Sequence, residues 1–178
     1  MKKFFLTFAI PAMLLLCAGC NSAQSTADIP HVQKFSLEKY LGTWYEIARL
    51  PHSFERDVAQ AKAEYVLMPD GKVKVINSGL KNGAPKSVEG VAVMKGAADV
   101  GELRVSFFRP FYGDYRIIYL TPDYTVAMVT SSTRDYFWLL ARTPEVKLST
   151  LRECLALAEK WGFAVELLQY PNRGVFTR

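Results

Sequence analysis

A two-residue alternation of apolar and polar side chains most limits what this chain can fold into. In AKAEYVL (61–67) and KVKVI (72–76) successive residues switch character, and the same period recurs to Arg142. Side chains on a strand point alternately to opposite faces, so this pattern specifies half-buried strands. Turn segments punctuate it at short, regular intervals: PDG, KNGAPK, KGAADVG, RPFYGD, TPD and SSTRD. The spacing predicts eight strands, over 43–50, 59–68, 72–79, 87–94, 102–108, 114–120, 124–130 and 135–142. Every link is short enough for a hairpin-type connection. An all-β, eight-stranded antiparallel up-and-down barrel follows.

Before the strands, SLEKYL (36–41) reads as a short helical turn capped by Ser36. After them the period changes. Val146, Leu148, Leu151, Leu155, Ala158 and Trp161 recur near 3.6 residues, predicting a helix over 144–161 packed outside the barrel. Ser149 or Thr150 would cap its start, and Gly162 would end it. A short last strand near 165–169 is expected to pair with the first.

The polar positions fix which faces look inward. Lys62, Glu64, Lys72, Lys74, Glu102, Arg104 and Arg116 must face water. Their neighbours Ala61, Ala63, Tyr65, Leu67, Val73, Val75, Asn77, Leu103, Val105, Phe107, Tyr115, Ile117 and Tyr119 then face in. The last strand contributes Tyr136, Trp138 and Leu140, and the first contributes Trp44, Glu46 and Ala48. A solid core favours Leu, Ile and Val nearly throughout. This inner set instead mixes small residues with aromatics, and adds Glu46, Asn77 and tyrosines that a dry core would have to satisfy. An eight-stranded barrel has room for one small ligand. The expected pocket is lined by Glu46, Ala48, Tyr65, Asn77, Phe107, Tyr115, Ile117, Tyr136 and Trp138. A filled core with satisfied tyrosines is the alternative.

Connectivity assigns the two ends. Turns 69–71, 95–101 and 121–123 share the end where the first strand begins, with the exit after Arg142. Segment 36–41 can cross this end and close it. Trp44 becomes a floor plate, Gly42 lets the incoming chain pass close, and Arg142 can stack on the indole. Loops 51–58, 81–86, 109–113 and 131–134 form the mouth. Phe54, Phe111 and Tyr112 lie there beside Arg56, Lys81, Lys86, Arg109 and Arg134, a composition suited to a lipid surface or to a second protomer in a homodimer. Ordinary loop packing is the other reading.

The amino terminus tells where the protein goes. Lys2 and Lys3 precede an apolar run from Phe4 to Leu16 and then small residues, the layout of a signal peptide over 1–19. The run is shorter than the roughly 20 residues a membrane span needs. Ala18, Gly19 and Cys20 resemble the lipobox of bacterial lipoproteins, although Cys17 stands where a leucine is usual. The resemblance implies lipidation of Cys20, and Asn21 after it favours the outer membrane. Residues 20–34 read as a lipidated flexible tether, and its small, polar stretch 21–33, with Pro30, could reach roughly 40 Å at about 3.3 Å per residue. The barrel domain is 35–178.

Cysteine usage agrees. With Cys17 removed and Cys20 lipidated, Cys154 is left alone, so no internal disulfide can form. Its place in the helical apolar stripe points to a buried inert thiol. The formal charge of +5 includes Lys2 and Lys3; without them 20 basic residues face 17 acidic ones. Such a mild excess, without a basic stripe, does not indicate nucleic acid.

Three stretches together carry a family resemblance. Gly42-Thr43-Trp44 resembles the Gly-x-Trp signature of lipocalins, TPDYTVAMV (121–129) resembles their second conserved stretch, and Arg142 in WLLART resembles the third. The order is right, and the likeness covers nearly all of 35–170. With the lipobox, GTWYEIAR, VSFFRPFYGDY and DYFWLLARTP resemble the bacterial outer-membrane branch related to apolipoprotein D. The resemblance implies binding of a fatty acid or lysophospholipid, with Asn77 and Trp138 lining the pocket. The leading expectation is a periplasm-facing, membrane-anchored carrier or store of one acyl chain, serving envelope maintenance or stress. No cofactor or metal is expected. A lipid-acting enzyme is a second class, and its acid or nucleophile would come from Glu46, Tyr65, Tyr115 or Tyr136. No Ser-His-Asp set or phosphate loop is visible in the sequence. A structural envelope lipoprotein with a filled barrel is the third.

Overall fold

Eight antiparallel strands close on themselves in chain order. In this computed structural model, which describes residues 23–172 and 176–177, they are β1 (Gly42–Arg49), β2 (Val58–Leu67), β3 (Val73–Lys81), β4 (Ala84–Met94), β5 (Glu102–Phe108), β6 (Phe111–Leu120), β7 (Val126–Thr130) and β8 (Phe137–Ala141). β8 pairs back onto β1 and seals the barrel. The expected signal segment and Cys20 lie outside the described residues.

Two mouth connections are tighter than the sequence suggests. Lys81 pairs with Ala84, so KNGAPK contributes only Asn82 and Gly83 as a two-residue turn. Both have positive φ, 52° and 80°, the conformation that matches the twist of the flanking strands. Phe108 likewise pairs with Phe111, so Arg109 and Pro110 alone make the β5–β6 turn. The expected loops 81–86 and 109–113 are therefore two-residue hairpin turns.

Among the described residues, four pairings shift register: two lie between Ala59 and Lys62 on β2 and between Val105 and Phe108 on β5, and the other two re-aim residues expected inside. The β1–β8 register shifts between Glu46 and Ala48, and the β6–β7 register shifts between Ile117 and Tyr119. A bulge re-aims every side chain beyond it. Ala48 therefore packs outward with Ile47 in the cluster under the C-terminal helix, as does Tyr119. Both expectations of inward placement are corrected for this reason.

That helix, α2 (Leu148–Lys160), lays Leu151, Cys154 and Ala158 against Ile47, Met128 and Leu139. It is shorter than the expected 144–161, because Val146–Lys147 form a short strand, β9, paired parallel with β10 (Phe176–Thr177). Lys147 occupies the N-cap position without a side-chain cap, and Ser149 and Thr150 fall inside the helix. The last strand expected at 165–169 is a 3₁₀ turn over Val165–Leu167 and one bridge, with Gln169 N–H donating to Arg49 O at 2.8 Å and Arg49 N–H to Gln169 O at 2.9 Å.

The floor is built as the sequence implies. Helix α1 (Leu37–Tyr40), capped by Ser36, crosses the barrel end. Trp44 is fully buried beneath it and donates its indole N–H to Tyr40 O at 2.8 Å. The Arg142 guanidinium lies 4.0 Å from the indole centroid and donates to the carbonyls of Lys39, Thr43 and Tyr124. Gly42 has φ of 91°, and a Cβ there would stand 3.4 Å from Arg142 Nη1. The positive φ, which residues with a side chain rarely adopt, is what calls for glycine where the chain turns under the arginine.

The described part of the expected tether is not loose. Residues 24–35 run down the outside wall as a strap. Ser25 bridges to Thr133 at the mouth, and Gln33 bridges to Val100 at the floor. Thr26 and Ile29 are buried. Arg116, expected to face water, does face outward but lies under the strap. It donates to the carbonyls of Thr26 and Ile29, to Thr26 Oγ1 and to Glu102 Oε1. Polar composition made this segment look like a linker, and the partners that fix it lie about ninety residues away.

Candidate functional site

Above the floor the barrel is hollow. The cavity has a volume of about 760 Å³ and opens at the mouth. Its size falls in the roughly 300–1,000 Å³ range of small-molecule sites. Small side chains on β2 leave part of the room: Ala61 and Ala63 line the cavity together with Leu140 of β8 and Val105 of β5.

Of the expected pocket residues, Glu46, Tyr65, Asn77, Phe107, Tyr115, Tyr136 and Trp138 line the cavity. Ala48 does not, for the bulge described above. Ile117 points inward but packs into the floor cluster with Trp44 and Val129, below the open space.

The bottom of the cavity is a chain of tyrosine hydroxyls. Tyr115 Oη lies 2.7 Å from Tyr40 Oη and 2.8 Å from Tyr65 Oη. Burial pushes all three phenols above their ordinary value, so they hold their protons. Higher up, the Asn77 Oδ1 is buried without a protein partner among the described residues. It offers one hydrogen-bond acceptor to whatever fills the space.

One wall carries charge. Arg49 Nη1 donates to Glu46 Oε2 at 2.8 Å, and Nη2 donates to the carbonyls of Glu55 and Val58. Glu55 Oε2 accepts from the Trp138 indole at 3.2 Å and lies 2.9 Å from His52 Nε2. Two buried carboxyls thus share one guanidinium. Burial, reinforced by the charge of Glu55, raises the Glu46 carboxyl to about 8 against the pull of Arg49. Burial also pushes Glu55 up, but His52, Trp138 and Arg49 outweigh it and hold that carboxyl below its usual range. The surroundings thus push the two carboxyls apart, Glu55 toward its charged form and Glu46 toward its protonated one.

His52, Phe54, Tyr136 and Trp138 stack around this wall, with the His52 and Phe54 centroids 3.8 Å apart. Sequence reading missed Arg49, His52 and Glu55. The segment 51–58 looked like an ordinary loop, and only the three-residue spacing of His52 and Glu55 hinted at a shared site. Asn172 was missed too. It donates to the carbonyls of Glu46 and Ala61 and fills the gap where β1 and β2 part above Tyr45.

The family profile described as a lipocalin-like domain matches residues 35–173. Among individual proteins, the chain is 41% identical to the outer membrane lipoprotein Blc of Escherichia coli strain K12 over 167 residues, covering 93% of this chain and 94% of that one. It is 39% identical to the protein of the same name from Vibrio cholerae, covering 90% and 96%. Mouse apolipoprotein D is 32% identical, with 85% and 83% covered. Among solved structures, insecticyanin from the tobacco hornworm Manduca sexta superposes with a TM-score of 0.69 at 19% identity, covering 84% of this chain and 87% of that one.

Proposed function

The chain belongs to the lipocalin family, and on that premise we propose that it is an outer-membrane lipoprotein that binds a single-chain lipid, a fatty acid or lysophospholipid, in its barrel. Cys20 is the lipidated residue, and the domain faces the periplasm, where it carries or stores its ligand during envelope maintenance or stress. The names of the bacterial relatives support the location. The hollow barrel itself carries the reading of the ligand: about 760 Å³ of space, walled mostly by apolar side chains and open at one end.

An acyl chain gains about 0.8 kcal/mol per buried methylene, so a long chain needs few polar contacts to hold it. The few that exist are grouped. Asn77 and the protonated Glu46 stand on the wall, with Glu55 nearer the rim. Tyr65 and Tyr115, offered above as nucleophile or acid, keep their protons in a hydrogen-bonded chain, which supports binding over proton transfer.

Titration of the folded protein with a fluorescent fatty acid tests this. Saturable one-to-one binding is expected, with Trp138 emission changing in parallel. Ala61→Phe, which places a ring in the cavity beside Ala63, should weaken binding by about tenfold or more while the barrel stays folded. A folded barrel that gives no saturable binding contradicts the proposal.

A further inference from the structure

The strap and the barrel seam together give this protein an orientation. Ser25 is held at the mouth, not at the floor. Thr26 N–H donates to Ser132 O at 3.0 Å, Arg134 N–H donates to Gln24 O at 2.8 Å, and Thr26 Oγ1 donates to Ser131 O at 2.6 Å. The Arg134 guanidinium, read from sequence as a free rim cation, is used to clamp Ser25 O and Asp28. Ser25 lies only five positions after Cys20, a reach of at most about 18 Å. The barrel wall, measured along the ten residues of β2, is about 33 Å long. An anchor at Cys20 can therefore bring the mouth to a membrane surface and cannot bring the floor there.

The mouth is built to meet such a surface on one side. β4 pairs with β5 only from Val91↔Ser106 to Met94↔Leu103, so the β4 edge from Ala84 to Gly90 has no partner strand on that side among the described residues. The matching gap between β1 and β2 is filled by Asn172, whereas no described residue is seen to bridge this one. Phe108 and Phe111 stand at the tip beside it, 76% and 71% exposed and stacked with centroids 6.2 Å apart. Val88 and Phe107 line the slot below them. The neighbouring cations Arg56, Lys81, Lys86 and Arg109 make no ion pair among the described residues. Greasy rings at a tight hairpin tip with unneutralised cations beside them fit an anionic lipid surface.

We infer that the docked strap holds the barrel mouth-down on the leaflet that carries its own anchor, with the Phe108–Phe111 tip inserted and the β4–β5 slot opening into the lipid. The inference rests on lipidation of Cys20, part of the proposed function, but it does not depend on which ligand binds. A chain leaving the bilayer then enters the cavity through the slot without crossing water.

The test uses the full-length acylated protein on vesicles of phosphatidylethanolamine and phosphatidylglycerol. Arg109→Cys at the mouth tip and Asp70→Cys at a floor turn are each labelled with a polarity-sensitive dye; Cys154 is buried and Cys20 is blocked by acylation. With brominated lipid present, the dye at 109 should shift to the blue and lose about half its emission, and the dye at 70 should not change. Quenching at 70, or at neither position, overturns the inference. So does a shift at 109 that is equally large without vesicles, because a second copy of the chain then covers the tip. The mass of the acylated N-terminal peptide, read on the same samples, separates failure of the anchor from failure of the orientation.

Discussion

Glu46 shows how one side chain couples the fold to the cavity. Its backbone belongs to β1 while its carboxyl stands in the cavity wall, 2.8 Å from Arg49. Burial raises that carboxyl to about 8 from 4.5. The native protein thus holds a proton that the unfolded chain releases. The stability Glu46 contributes is full below the unfolded value of 4.5, drains as pH rises toward about 8, and levels off above it. Glu55, held low, works in the opposite sense and loses its contribution as pH falls. Glu46→Gln keeps an acceptor for Arg49 and removes the titration. Urea unfolding should find it close to wild type at acidic pH and more stable by on the order of 4 kcal/mol near pH 8. A difference that stays constant with pH would contradict the placement of the proton on Glu46.

At the scale of elements, the strap is held by partners distant in sequence. Arg116→Ala removes the donors to Thr26, Ile29 and Glu102. Amide hydrogen exchange should accelerate over residues 24–33 while the β1–β4 amides stay protected, with a loss of about 2–3 kcal/mol in strap opening. The same element marks where reading the sequence stops. Alternation and turn residues locate all eight strands, and Gly42, Trp44 and Arg142 locate the floor, because those signals are local. The bulges after Glu46 and Ile117 leave no local signal, so Ala48 and Tyr119 turn outward where alternation points them in, whereas Ile117 faces in as expected and lies below the open space. Asn82-Gly83 is a recognisable tight-turn pair, yet the polar run around it hid the extension of both strands. The Arg49–Glu55–His52 wall depends on β1 and its following loop folding back together, which composition does not reveal.

At the scale of the molecule, the two ends of the barrel do different work. The Trp44 end is closed by rings and by an arginine that holds three carbonyls, and it gives the barrel a rigid base. The mouth end collects the exposed aromatics, the free cations, the strap's first contacts and the opening of the cavity. The hollow between them is the central claim, and native mass spectrometry of the protein purified from its own membranes tests it most directly. The account predicts a one-to-one adduct with the mass of a single-chain lipid, absent from Ala61→Phe and restored to stripped wild type by added palmitate. A folded wild-type protein that carries no adduct and takes up no palmitate would contradict it.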